Sequence, residues 1–87
     1  MIGYILINCM PSQEENVIAE LSKIPEVDEV NGVLGKYDIF VKVTGKIPRE
    51  IDLTVSKIRS IRGITRSYTM TALYGQGGTI DKEEPSQ

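Results

Sequence analysis

Residues 2–10 read IGYILINCM, a run whose side chains separate by alternation into Ile5, Ile7 and Cys9 on one side and Tyr4, Leu6 and Met10 on the other. A period of two predicts a strand over Ile2–Met10. Pro11 and Ser12 stop it. The apolar period then lengthens, with Val17, Ile18, Leu21 and Ile24 at helical spacing, so residues 13–24 are expected to form an amphipathic helix. Ser12 and Glu15 stand at capping-box spacing before it, and Pro25 ends it. Val27–Leu34 and Tyr37–Thr44 read as two further strands, joined as an antiparallel hairpin by a two-residue turn at Gly35–Lys36. Gly45 closes the third strand, and Pro48 suits a first helical position because its missing amide has no partner to lose there. Ile51, Val55 and Ile58 mark a second amphipathic helix, Gly63 is a natural terminator, and Ile64–Tyr74 reads as a fourth strand. From Gly75 the stretch GQGGTIDKEEPSQ has no apolar period and is expected to be a mobile tail, leaving a folded domain over residues 1–74.

The order is strand, helix, strand, strand, helix, strand. A faint internal echo supports two related halves: Leu21, Ile24 and Val27 correspond to Ile58, Ile61 and Ile64. Two βαβ halves in this order predict an α+β, ferredoxin-like fold, a four-stranded antiparallel sheet with two helices on one face. Right-handed crossovers put strands one and three in the centre. Both faces of those central strands are apolar, with Asn8 and Lys42 as polar exceptions, yet two helices cover only one face. The uncovered face is expected to close against a second copy through Tyr4, Leu6 and Phe40.

Composition narrows the function classes. At 87 residues this is one small domain, burying only about 60% of its unfolded surface, so its own stability is expected to be modest. A net charge of −2 argues against a broadly basic nucleic-acid surface. The opening apolar run is too short for a membrane span and has no charged region before it, so a cytoplasmic location is expected. Histidine is absent and Cys9 is the single cysteine, so no metal site and no internal disulfide are expected. The carboxylates gather where a helix dipole or solvent explains them: Glu14 and Glu15 in a first helical turn, Glu26, Asp28 and Glu29 before a strand. No cofactor motif is present either, since GQGG lacks the helix and GK[ST] of a phosphate loop. Acid–base or nucleophilic catalysis is therefore not expected.

One constellation remains. Asp38 follows the glycine turn beside Tyr37, and a carboxylate next to freed amides suits the ammonium and carboxylate of a free amino acid. Thr69 and Thr71 lie on one side of the fourth strand as hydroxyl donors and acceptors. Equally, Asp38 stabilises a turn and the threonines are ordinary strand residues. The residues alone leave both readings open.

The chain resembles the effector-binding (RAM) domain of the Lrp/AsnC, or feast/famine, transcription regulators. The likeness covers residues 2–74: the GYILINC strand, the helix running into LSKIPEVDEV, the GVLGKYDIFVKV hairpin, the helix ending in IRSIRGI, and the closing TRSYTMTALY strand. The resemblance implies a non-enzymatic, ACT-like sensor whose homodimers assemble further, commonly to octamers, and bind amino acids between dimers. It implies that Leu34, Gly35, Lys36, Tyr37 and Asp38 frame that pocket, with Thr69 and Thr71 facing it from a neighbouring subunit. Full-length members also carry a helix-turn-helix. This chain opens on strand one, so it is expected to be a stand-alone form without sequence-specific DNA binding, able to partner full-length Lrp/AsnC regulators. A small dimeric ferredoxin-like enzyme and a purely structural interaction module are the competing readings.

Overall fold

The computed structural model describes residues 1–72. The chain runs β1 (Ile2–Cys9), α1 (Glu14–Leu21), β2 (Val27–Gly32), β3 (Ile39–Thr44), α2 (Pro48–Arg59) and β4 (Ile64–Thr71). The four strands form one antiparallel sheet in the order β2-β3-β1-β4, as the crossover argument required. Ile5, Ile7, Ile39, Val41 and Val43 are fully buried on one sheet face beneath Val17, Leu21, Ile51 and Ile58 of the helices. Each such side chain contributes about 1.5–3 kcal/mol by leaving water, which makes this single layer the source of the fold's cohesion.

The two helix exits confirm the internal echo in hydrogen bonds. Ile24 N–H donates to Leu21 at 3.1 Å and Val27 N–H to Ile24 at 3.0 Å; Ile61 N–H donates to Ile58 at 3.0 Å and Ile64 N–H to Ile61 at 3.4 Å. Both halves thus use the same tightened last turn to drop from helix into edge strand. Gly63, at φ 103°, makes the second of these drops while a Cβ there would meet Gln13 and Val17 at 3.2 and 3.3 Å. Glycine is needed twice over, for its backbone angle and for the close passage of α1.

Four local expectations are corrected. Ser12 is not a helix cap: α1 starts at Glu14 with Gln13 before it and no side-chain capping bond. Ser12 instead sits at φ 71° after Pro11, and Gln13 N–H donates to Met10 at 3.0 Å, a proline-led tight turn that consumes both residues. The α1 helix also stops at Leu21 rather than Ile24: Lys23 and Ile24 N–H donate three residues back, to Glu20 and Leu21, tightening the turn ahead of Pro25. Finally, the hairpin has no two-residue turn. Val33 N–H bonds the Asp38 carbonyl as the last rung, and Leu34–Tyr37 form a four-residue loop. Strand β1 ends at Cys9 rather than Met10. The expected strand beyond Ala72 and the tail from Gly75 lie outside the described residues.

Candidate functional site

The loop between β2 and β3 is tied to β1 at its base. Asp38 N–H donates to the Ile7 carbonyl at 2.9 Å, and the Asp38 carboxylate answers: its Oδ2 accepts Cys9 N–H at 2.9 Å. Asn8 completes the knot. Its Nδ2 donates to the Lys36 carbonyl at 3.0 Å and reaches the same Asp38 Oδ2 at 3.4 Å. Both of these partners are acceptors, which fixes the amide's orientation. Asn8 Oδ1 is then buried and has no hydrogen-bond partner among the described residues. Asp38 therefore does one job visibly: one of its oxygens replaces a rung that the sheet ladder would otherwise lack.

Above this base the loop stands in solvent. Gly35 takes φ 132°, Leu34 is 103% exposed and Lys36 is exposed. A fully exposed leucine at a tip whose stem is fixed by five hydrogen bonds is an unusual use of an apolar side chain. The Cys9 thiol beside the knot is pushed up from its ordinary pKa by burial first, then by the negative charges of Asp38 and Glu14. That describes an inert thiol rather than a nucleophile.

The sheet registers place the rest. Ile5 pairs Thr69 and Gly3 pairs Thr71, so both threonines point to the helix side of β4, where they are exposed. Asp38 lies on the opposite, open face. It is two strands away and about three or five residue rises along the sheet, so roughly 14 and 19 Å separate it from Thr69 and Thr71. One subunit does not bring the loop and the threonines together. The open face itself carries rows across β3, β1 and β4: Phe40, Leu6 and Tyr68, then Lys42, Tyr4 and Met70. Tyr4 and Phe40 stack at 5.7 Å between ring centroids. Tyr68 and Met70 remain 54% and 40% exposed, so no described residue covers this part of the face.

Sequence reasoning missed Asn8 as the organiser of the loop. The available signal was a lone amide in an apolar strand, passed over as a polar exception.

A family model described as the Lrp/AsnC ligand binding domain matches residues 3–75. An uncharacterised HTH-type transcriptional regulator of Pyrococcus horikoshii is 34% identical over 70 residues, which are 79% of this chain and 44% of that protein. The chain thus spans about half the length of such regulators. A homocitrate synthase of Sulfurisphaera tokodaii is 40% identical over 57 residues, 66% of this chain but 12% of the enzyme. Among solved structures, FFRP-DM1 superimposes with a TM-score of 0.79 at 33% identity, covering 83% of this chain and 97% of that one.

Proposed function

The chain belongs to the Lrp/AsnC ligand-binding domain family, and from that premise we propose that it is an oligomeric sensor of free amino acids. The family's domains are regulatory and typically non-enzymatic, and they generally oligomerise and bind effectors. The observation that carries the finer reading is the Leu34–Tyr37 loop, clamped at its base by Asn8 and Asp38 and open at its tip. A clamped loop presents its amides without paying ordering entropy when a ligand arrives. The amides around Gly35 and Lys36 receive the ligand carboxylate. Asp38, whose Oδ1 has no donor among the described residues, accepts the ammonium.

Leu34 and Tyr37 supply apolar wall, and Thr69 and Thr71 reach the ligand from another subunit, since the threonines of the same subunit are too far away. The subunits first pair by burying Tyr4, Leu6 and Phe40 of the open sheet face against a second copy. The dimers then assemble further, and full-length relatives offer the same mating surface. Homocitrate synthesis is not carried over, because the chain spans so small a part of that enzyme.

A thermal-shift screen of the twenty amino acids tests the reading, because a ligand bound only by the native state raises its stability. One or a few amino acids should raise the melting temperature in a concentration-dependent way, and their deaminated analogues should not. If none of the twenty shifts an oligomeric sample, the sensor reading fails and the structural-module reading takes its place.

A further inference from the structure

Charge is distributed unevenly along the chain. Residues 1–35 hold six acidic side chains and one basic, whereas residues 36–72 hold eight basic and three acidic. The second half folds into β3, α2 and β4, so among the described residues these elements carry a basic excess although the whole chain carries −2.

At the top of that edge lies a cleft of about 370 Å³ lined by Arg59, Ile64, Thr65, Arg66 and Ser67. A bulge makes room for it: Asn8 pairs Arg66 and Cys9 pairs Ile64, leaving Thr65 as the extra residue that bends β4. The register also decides where the backbone points. Ala72 N–H donates to Ile2, so even-numbered residues of β4 bond β1, and Ser67 turns its amide outward at the unpaired edge. Its lining thus includes two arginines, one from the end of α2 and one from the open-face side of β4, two hydroxyl-bearing residues and, at Ser67, a main-chain amide turned outward. Among the described residues the two ion pairs are Lys23–Glu20 and Lys57–Glu26, and neither Arg59 nor Arg66 has a carboxylate partner.

We propose that this cleft binds a small dianion, held by Arg59 and Arg66 with Ser67 N–H and the Thr65 and Ser67 hydroxyls filling its remaining acceptor positions. Guanidinium forks match the paired oxygens of phosphate and carboxylate groups, which a solvated lysine does only as a point charge. The C-terminal end of α2 opposes an anion with about half a negative charge, against two full positive charges, so attraction prevails. Arg59 does complement that helix end, but Arg66, on a strand, has no such role. Arg66 stands across β1 from the loop clamp, but the proposal does not depend on the amino-acid reading of that loop.

Calorimetric titration of the 87-residue chain with inorganic phosphate, and separately with succinate, tests it. The controls are Arg59→Gln, Arg66→Gln and Arg49→Gln, the last an arginine at the opposite end of α2. Saturable one-to-one binding should fall at least about tenfold in each of the first two variants, the scale of a lost charged hydrogen bond. It should persist in Arg49→Gln and weaken as sodium chloride is raised. Preference for phosphate identifies a phosphate-bearing ligand, and preference for succinate a dicarboxylate. Circular dichroism verifies that the variants fold, which two exposed side chains should permit. The site is refuted if neither anion saturates, or if Arg49→Gln loses as much as the other two.

Discussion

Neighbouring residues of one strand divide this molecule. Ile5 and Ile7 are fully buried under two helices, whereas Tyr4 and Leu6, one position away, lie half-buried on the open face beside exposed Tyr68 and Met70. Both sets are apolar, so composition alone does not distinguish them. The covered face is satisfied by the chain's own helices and carries the fold. The open face is the surface proposed to meet a second copy. Its rim supports that use, because the apolar rows end in Asp38, Asn8 and Arg66 at one end and run into Lys42 and Glu29 toward β2. If the open face serves assembly as proposed, substitutions on the two faces should fail in different ways.

The sharpest break of the comparison pairs Ile7→Ala with Leu6→Ala. Ile7→Ala leaves a cavity in the covered layer and should cost about 2–5 kcal/mol at every protein concentration, a large share of a small domain's stability. Leu6→Ala should cost less, and its cost should grow as the protein is diluted through the dissociation range. Denaturant melts at two concentrations measure both. A loss for Leu6→Ala that is independent of concentration would show that the open face serves folding alone. Leu6→Lys extends the test by placing an unpaired charge in the proposed interface. Sedimentation should then report folded monomer at micromolar concentration where the parent is dimeric.

A smaller effect is expected at the loop. Asp38→Ala should weaken amino-acid binding by roughly 1.5–3 kcal/mol if its carboxylate meets an ammonium. The same substitution also removes the Cys9 N–H partner, so Asp38→Asn separates the roles. The amide keeps an acceptor for Cys9 but not the charge for the ligand. Calorimetry should show deaminated analogues binding the parent poorly and losing little more in either variant. If Asp38→Asn restores amino-acid affinity in full, Asp38 is a clamp and nothing more.

The covered face was legible in the sequence because alternation at Ile5 and Ile7 and helical spacing at Leu21 and Ile58 are local patterns repeated many times. The apolar open face was equally legible, for the same reason. The loop was not. Val33 and Leu34 continue the apolar run of β2, so the strand read two residues too long and the turn two residues too short. What fixes the loop's base is the Asp38 carboxylate, just ahead of β3, accepting an amide of β1 29 residues away in sequence, and no local pattern reports that. Ser12 misled for a related reason: its capping spacing is real, but Pro11 had already committed it to a tight turn. Asn8 carried a visible signal whose meaning depended on where the loop would land.

The smallest expected effect follows Cys9, which closes the covered side of β1 next to the loop knot. Burial, with Asp38 and Glu14 nearby, raises its thiol pKa in the folded chain. The neutral thiol is therefore favoured by folding. The resulting stability is fully present below the unfolded thiol pKa, about 8.5, and is lost as pH rises through the higher folded value. A chain lacking this thiol should be spared that loss. Denaturant melts of the parent and of Cys9→Ala, taken from pH 7 to pH 10, should therefore show the stability difference shifting in favour of the variant at the alkaline end, whatever its value at pH 7. Alkylation by iodoacetamide supplies the kinetic counterpart. It should be slower than for an unstructured thiol at pH 8 and should rise at a more alkaline pH. Asp38→Asn removes one of the two charges that raise the pKa and should move that rise toward neutral pH. An alkylation profile matching the free thiol would place Cys9 in open water and remove the loop end of β1 from the covered side of the comparison.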